Sequence, residues 1–195
     1  MNLSRTKPWG DTVRTFVALA LSEQAKRDVE DLQKRLLAAV AGAGVSLRPT
    51  PVHQFHVTLA FLGEISKERI PSVIAAISDL IGCSHAPLQL ATEGFLIFPS
   101  ARRARVIAVA FVDPSGELIR VASALHDRLS SVGFALEQRE FKPHVTLARL
   151  KQPAQFDWWS AYHPIPIQHC STIAVYQSRL GAGGSRYQVL HQASI

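Results

Sequence analysis

Short apolar runs alternate with longer amphipathic stretches along the 195-residue chain. Val13 to Ala20 is compact, apolar and rich in Val, Thr and Phe, the pattern of a buried strand. Ser22 then supplies a helix N-cap with Glu23 in the first turn, and Val29, Leu32, Leu36, Leu37 and Val40 recur at helical spacing up to Gly42-Ala43-Gly44. Phe55 to Leu62 predicts a second strand, closed by Gly63. Ser66 caps a predicted helix to about Ile81, with Pro71 tolerated near its first turn. Leu88 to Phe98 and Val106 to Val112 read as strands joined by the basic loop Ala101-Arg102-Arg103-Ala104-Arg105. Ser115 opens a helix that carries Leu118, Val121, Leu125 and Leu129 on one face and ends at Gly133. His144 to Leu150, Thr172 to Ser178 and Tyr187 to His191 complete the strands. Several neighbouring strands are joined by loops too short for parallel crossovers. The expected class is α+β with mainly antiparallel sheets.

Composition narrows the partner rather than the fold. Apolar residues make up 47% and charged residues 18%, an ordinary globular balance, with no apolar run long enough for a membrane span. The net charge of +6 favours an anionic partner, most commonly nucleic acid. Cys83 and Cys170 are far apart in sequence, which argues against a thiolate zinc site or a disulfide framework and fits a reduced, cytoplasmic compartment. Residues 1–12 read as a polar tail.

The chemistry is carried by a repeat. His56-Val57-Thr58-Leu59 recurs unchanged as His144-Val145-Thr146-Leu147, and the flanks Phe55 to Gly63 and Pro143 to Lys151 match in part. Each copy follows the same upstream order of strand, helix and turn, as duplication of a half-domain would leave it. On a strand, His56 and Thr58 share one face while Val57 and Leu59 share the other. The second copy repeats this with His144 and Thr146 against Val145 and Leu147. Two such sheets facing each other bring two imidazoles and two hydroxyls into one cleft.

That set suits the opening of a cyclic phosphodiester by water. One imidazole takes the proton of the nucleophile and the other protonates the departing ribose oxygen; their ordinary pKa near 6.5 permits both roles close to neutrality. The threonine hydroxyls donate to non-bridging oxygens. The scheme requires no metal and no cofactor. A lone His-x-Thr on a strand is ordinarily structural; two copies in matched flanks favour the catalytic reading.

These residues resemble the two-histidine (2H) phosphoesterases, specifically the RNA 2′,3′-cyclic phosphodiesterase or 2′-5′ RNA ligase family (LigT-like), defined by paired His-x-Thr-x motifs. Arg14 to Leu19 is similar to the family's opening strand, Ala60-Phe61-Leu62-Gly63 to the continuation of its first motif, and Phe141-Lys142-Pro143 with Arg149 to its second motif region. Tyr176-Gln177-Ser178 with Gly184-Ser185-Arg186-Tyr187 resembles its closing hairpin. The resemblance implies two pseudo-symmetric lobes of antiparallel sheet with outer helices around a central cleft, within one bilobal domain over residues 13–195. It implies hydrolysis of RNA 2′,3′-cyclic ends to 2′-phosphomonoesters, with reverse 2′-5′ joining as a side activity; separately, a monomer is expected. It makes His56 the proton donor and His144 the acceptor, an assignment that the symmetry of the motifs leaves open. Where the family often carries an aromatic residue with an Arg-containing segment, this chain has Leu47-Arg48-Pro49.

Further substrate contacts are expected from Arg149, Arg105, Phe16 and Tyr187. Strict alternation places Arg149 opposite His144, so its use requires a bulge or twist. Arg102, Arg103 and Arg105 suit RNA phosphates, or form a solvated loop. Phe16 and Tyr187 suit base stacking, although Phe16 reads equally well as core. His53 and His56 have ligand spacing but point to opposite faces of a strand, which argues against a shared ion. The competing functions are a phosphodiesterase acting on another cyclic or 2′-5′-linked nucleotide and a non-catalytic RNA-binding module.

Overall fold

The structure is a computed structural model that describes residues 12–81, 87–181 and 184–195. Cys83, His85 and nearly all of the expected N-terminal tail lie outside the described residues. The elements run β1 (Thr12–Ala20), α1 (Glu23–Val40), β2 (Leu47–Pro49), β3 (His56–Ser66), α2 (Ile70–Ile81), β4 (Leu88–Phe98), β5 (Ala104–Val112), α3 (Glu117–Ser131), β6 (His144–Ala154), β7 (Gln168–Cys170), β8 (Thr172–Gly181) and β9 (Gly184–Ser194). They form two sheets, ordered β3-β1-β8-β9 and β2-β6-β5-β4-β7, with antiparallel neighbours throughout. The fold is α+β, and the expected antiparallel pairing is what the sheets show.

Local chemistry sets the helix starts. Ser22 Oγ accepts from the Ala25 amide at 3.1 Å, the expected N-cap bond. Ser66 accepts from the Glu68 amide, but a 3₁₀ turn over Lys67–Arg69 intervenes before α2. α3 begins two residues later than Ser115 implies: the Asp113 carboxylate takes the Ser115 and Leu118 amides while Ser115 Oγ takes the Glu117 amide, so two side chains share the cap. The predicted loop residues Ala104 and Arg105 belong to β5.

The two halves repeat one strand–helix–strand unit, β1-α1-β3 and β5-α3-β6, down to its register. Ala20 faces His56 and Ala18 faces Thr58; Ala110 faces His144 and Ala108 faces Thr146. The register then slips identically in both: Val17 pairs with Ala60 and Ile107 with Ala148, so that Leu59 and Leu147 are skipped. β3 does not stop at Gly63, as its glycine predicts. A second slip there, with Gly63 at φ 68°, carries the strand on to Ser66.

One continuous hydrophobic core joins the lobes, drawing on all three helices and both sheets. Val57, Leu59, Val145 and Leu147 are buried in it, as the facial pattern predicts. The lobes are also clipped together by backbone. The short β2, on the connection from α1 to β3, adds an edge to the other sheet beside β6. The carbonyl of the skipped Leu147 accepts from the Thr50 amide at 2.8 Å and from Gln33 Nε2 at 2.6 Å, and Gln33 Nε2 also reaches the Thr50 carbonyl. Gln33 is itself buried. A Gln33→Leu substitution leaves the Leu147 carbonyl with the Thr50 amide alone and removes the Gln33 bond to the Thr50 carbonyl, and we expect a loss of about 1 kcal/mol in urea unfolding; unchanged stability would show that the Gln33 bonds contribute nothing.

Candidate active site

Between the sheets lies a cleft of about 710 Å³ lined by His56, Thr58, His144 and Thr146 together. The two motif strands β3 and β6 contact each other, which brings both copies to one place. Each imidazole is fixed in the same way. His56 Nδ1 lies 2.6 Å from the Gln54 carbonyl and His144 Nδ1 lies 2.7 Å from the Lys142 carbonyl, two residues upstream in each case. A carbonyl only accepts, so each Nδ1 carries hydrogen and each Nε2 is left to exchange protons. His56 Nε2 sits 3.1 Å from Thr58 Oγ1.

The slip at Leu59 and Leu147 decides what else reaches the cleft. It buries two consecutive residues on each strand, Leu59-Ala60 and Leu147-Ala148, and reverses the alternation beyond them. Phe61 and Arg149 therefore line the cleft. Arg149 thus shares the face of His144, and strict alternation fails at that point. Phe61 occupies the equivalent place in the other half and is 55% exposed.

The cleft is cationic. Arg14, Arg48, Arg139 and Arg149 line it, and among the described residues no Asp or Glu does. Arg48 pairs in register directly opposite Arg149, a like-charge neighbour that costs stability unless an anion sits between. The Arg48 guanidinium lies across Gly184, where a Cβ would collide with it. Arg14, Arg48, Arg139 and Phe61 are not expected in the cleft from sequence patterns. Arg48 sits on a three-residue edge strand whose pairing leaves no periodic signal, and Phe61 enters the cleft only because of the bulge.

Aromatic packing separates the two histidines. The His56 ring lies 4.9 Å from Phe16, 5.4 Å from Tyr187 and 6.0 Å from Tyr176, centroid to centroid. Burial in this box pushes its pKa down from 6.5 to about 4, and the nearby His144 adds to the depression. Burial also lowers the His144 pKa, with the Arg149 charge contributing; its aromatic neighbour is Phe98 at 5.1 Å. Phe16 is 3% exposed and stacks on Tyr176, so it serves as a wall of the box with little free surface. Tyr187 is half-buried in the cleft lining, whereas Arg105 is exposed and is not part of that lining. His53 belongs to a 3₁₀ turn rather than to a strand, and it is exposed. Among the described residues no group of three or more His, Cys, Asp or Glu side chains converges as a ligand set. Among them, too, no helix is long and apolar enough to cross a membrane.

A twofold-repeated His-x-Thr cleft lined by arginine defines a two-histidine phosphoesterase site. The comparison with known families agrees, because the LigT like Phosphoesterase family matches residues 19–108 and 111–187. The chain belongs to that family. Its relatives include two proteins named RNA 2′,3′-cyclic phosphodiesterase. One, from Aeropyrum pernix, is 36% identical over 118 residues, covering 60% of this chain and 65% of the relative. The other, from Thermus thermophilus, is 30% identical over 197 residues, covering 94% and 90%. Among solved structures, the TT0787 protein of Thermus thermophilus superposes with a TM-score of 0.78 at 27% identity, over 93% of this chain and 97% of that one. Escherichia coli LigT in complex with 3′-AMP shares the fold, with a TM-score of 0.68 at 24% identity over 95% and 99%.

The aromatic box makes a titration prediction. His56 holds a proton only below about pH 4 when folded, against 6.5 when unfolded, so the unfolded chain binds more protons between those values. The stability associated with a neutral His56 is intact above pH 6.5 and lost as the pH falls towards 4. In Tyr187→Ala, water enters the box; we expect the His56 pKa, followed by NMR, to rise towards 6.5 and the acid loss of stability to shrink. An unmoved pKa would mean that Tyr187 does not shield the ring.

Proposed function

We propose that the protein hydrolyses the 2′,3′-cyclic phosphate at an RNA end to a 2′-phosphomonoester, with His56 and His144 as paired proton-transfer groups. The observation that carries this reading is the matched anchoring of the two rings, each Nδ1 on the carbonyl two residues upstream, in one arginine-lined cleft. The names of the relatives support the choice of substrate. In the forward reaction His144 Nε2 takes a proton from water, whose oxygen attacks phosphorus. The P–O3′ bond breaks, and His56 Nε2–H protonates the leaving 3′-oxygen. The Thr58 and Thr146 hydroxyls donate to the non-bridging oxygens, while Arg149 neutralises their growing charge. With an RNA 5′-hydroxyl in place of water, the same geometry joins two strands through a 2′-5′ linkage.

Burial disfavours a cationic His56, so the donor is charged only when an anion offsets the cost. The phosphodiester brings that charge. The pH profile of kcat is therefore expected to be bell-shaped, with limbs at higher pH than those of kcat/KM, which reports the free enzyme. Coincident limbs would remove this coupling from the mechanism.

The direct test uses an RNA ending in a 2′,3′-cyclic phosphate. Wild-type protein is expected to give the 2′-phosphomonoester, with unchanged rates in a chelator. His56→Ala and His144→Ala are each expected to lose at least about 10²-fold in kcat, with RNA affinity far less affected. Near-normal turnover in either variant, or loss on chelation, would overturn the two-histidine scheme.

A further inference from the structure

The β4-β5 hairpin ends at the cleft. Its last paired residues, Phe98 and Val106, both line the cleft, and Phe98 is the ring beside His144. Residues 99–105 leave this wall and return to it, turning through a 3₁₀ helix over Ala101–Arg103. The excursion carries Arg102, Arg103 and Arg105, all exposed. None of the ion pairs among the described residues involves them, whereas Lys26, Lys34, Arg120 and Lys142 each hold a carboxylate. The segment after β6 closes against the same turn. The Phe156 amide donates to the Ala101 carbonyl at 2.7 Å, and the Phe156 ring meets Trp159 edge-on, with centroids 4.7 Å apart. Phe156 is buried, yet Trp159 stays 49% exposed on it. Asp157 lies in this segment and makes no ion pair with the arginines.

We propose that this surface is the track for the RNA strand leading to the cyclic end. Arg102, Arg103 and Arg105 neutralise upstream phosphates while Trp159 stacks a base. The proposal rests on the cyclic-phosphate reading of the cleft and adds that the substrate is a single strand several nucleotides long. Exposed guanidiniums on a turn that is hydrogen-bonded to the segment carrying an exposed indole offer the two elements, cationic and aromatic, that hold single strands without reading their sequence. The reach fits. Arg103, the last residue of the 3₁₀ turn, is three residues from the cleft wall at Val106, at most about 10 Å at strand rise, which spans up to about three stacked nucleotides at 3.4 Å each.

The test compares uridine 2′,3′-cyclic phosphate with a single-stranded decamer ending in the same group. Variants are the triple Arg102→Ala/Arg103→Ala/Arg105→Ala and, separately, Trp159→Ala and Trp159→Tyr, all at positions outside the cleft lining. The mononucleotide is expected to turn over equally in all of them. For the decamer, KM is expected to rise at least about tenfold in the triple variant. Its logarithmic salt slope is expected to fall by about 2, at about 0.7 for each phosphate neutralised on a single strand. Trp159→Ala is expected to weaken decamer binding about tenfold and Trp159→Tyr to retain it. Arg179→Ala/Arg186→Ala removes two exposed charges of the β8-β9 hairpin at positions that are not part of the cleft lining, and is expected to change neither substrate. If wild-type protein turns over neither substrate, the reading of the cleft falls and this proposal with it. If it turns over both but with equal KM, or if the triple variant keeps the decamer's advantage, the track falls and the cleft reading stands. Arginine-dependent capture by anionic vesicles with unaltered decamer kinetics would assign the patch to a membrane surface and overturn the proposal.

Discussion

In each half of the molecule one strand skips a residue, Leu59 in β3 and Leu147 in β6, and beyond that point the two faces of the strand exchange places. Without the slip, His56 and His144 would still reach the cleft, but Phe61 and Arg149 would point into the core. A charged guanidinium there would be intolerable. The second bulge is also the better defended: the carbonyl of Leu147 is held by Thr50 and Gln33 from the first half of the chain. The geometry of one histidine copy thus depends on a helix and an edge strand contributed by the other copy.

The duplicated frame supports unequal chemistry because the residues placed on it differ. At matched post-bulge positions one lobe presents a phenyl ring and the other a guanidinium. One histidine is boxed by Phe16, Tyr176 and Tyr187, and the other meets Phe98 and the field of Arg149. Desolvation lowers the basicity of both rings, most strongly at His56. Four arginines without a carboxylate among the described lining residues leave the cleft short of negative charge. Under the proposed mechanism a phosphodiester supplies it, and the same charge that binds the substrate also makes a protonated imidazole tolerable.

Much of this was legible in the chain before folding. The unchanged repeat of His-Val-Thr-Leu gave the paired site, and period-two alternation correctly assigned the His and Thr side chains to one face and the aliphatics to the other. Ser22 and Gly133 marked helix ends because capping is local chemistry. The misses share a cause, which is that they depend on pairing between distant segments. β2 is three residues long and exists only because β6 is beside it. The bulges come from register against β1 and β5, so alternation alone left the face of Arg149 undecided and gave no sign that Phe61 enters the cleft. Gly63 reads as a strand end by residue type, yet here its positive φ carries β3 onward.

The central claim is that Nε2 of His56 and Nε2 of His144 address one phosphorus from opposite sides. A crystal structure with a uridine–vanadate mimic of the pentacovalent transition state would test it most directly. The account predicts each Nε2 within hydrogen-bonding distance of a different apical oxygen, with Arg149 on an equatorial one. Vanadate bound elsewhere in the cleft, or held by one ring while the other faces solvent, would contradict it.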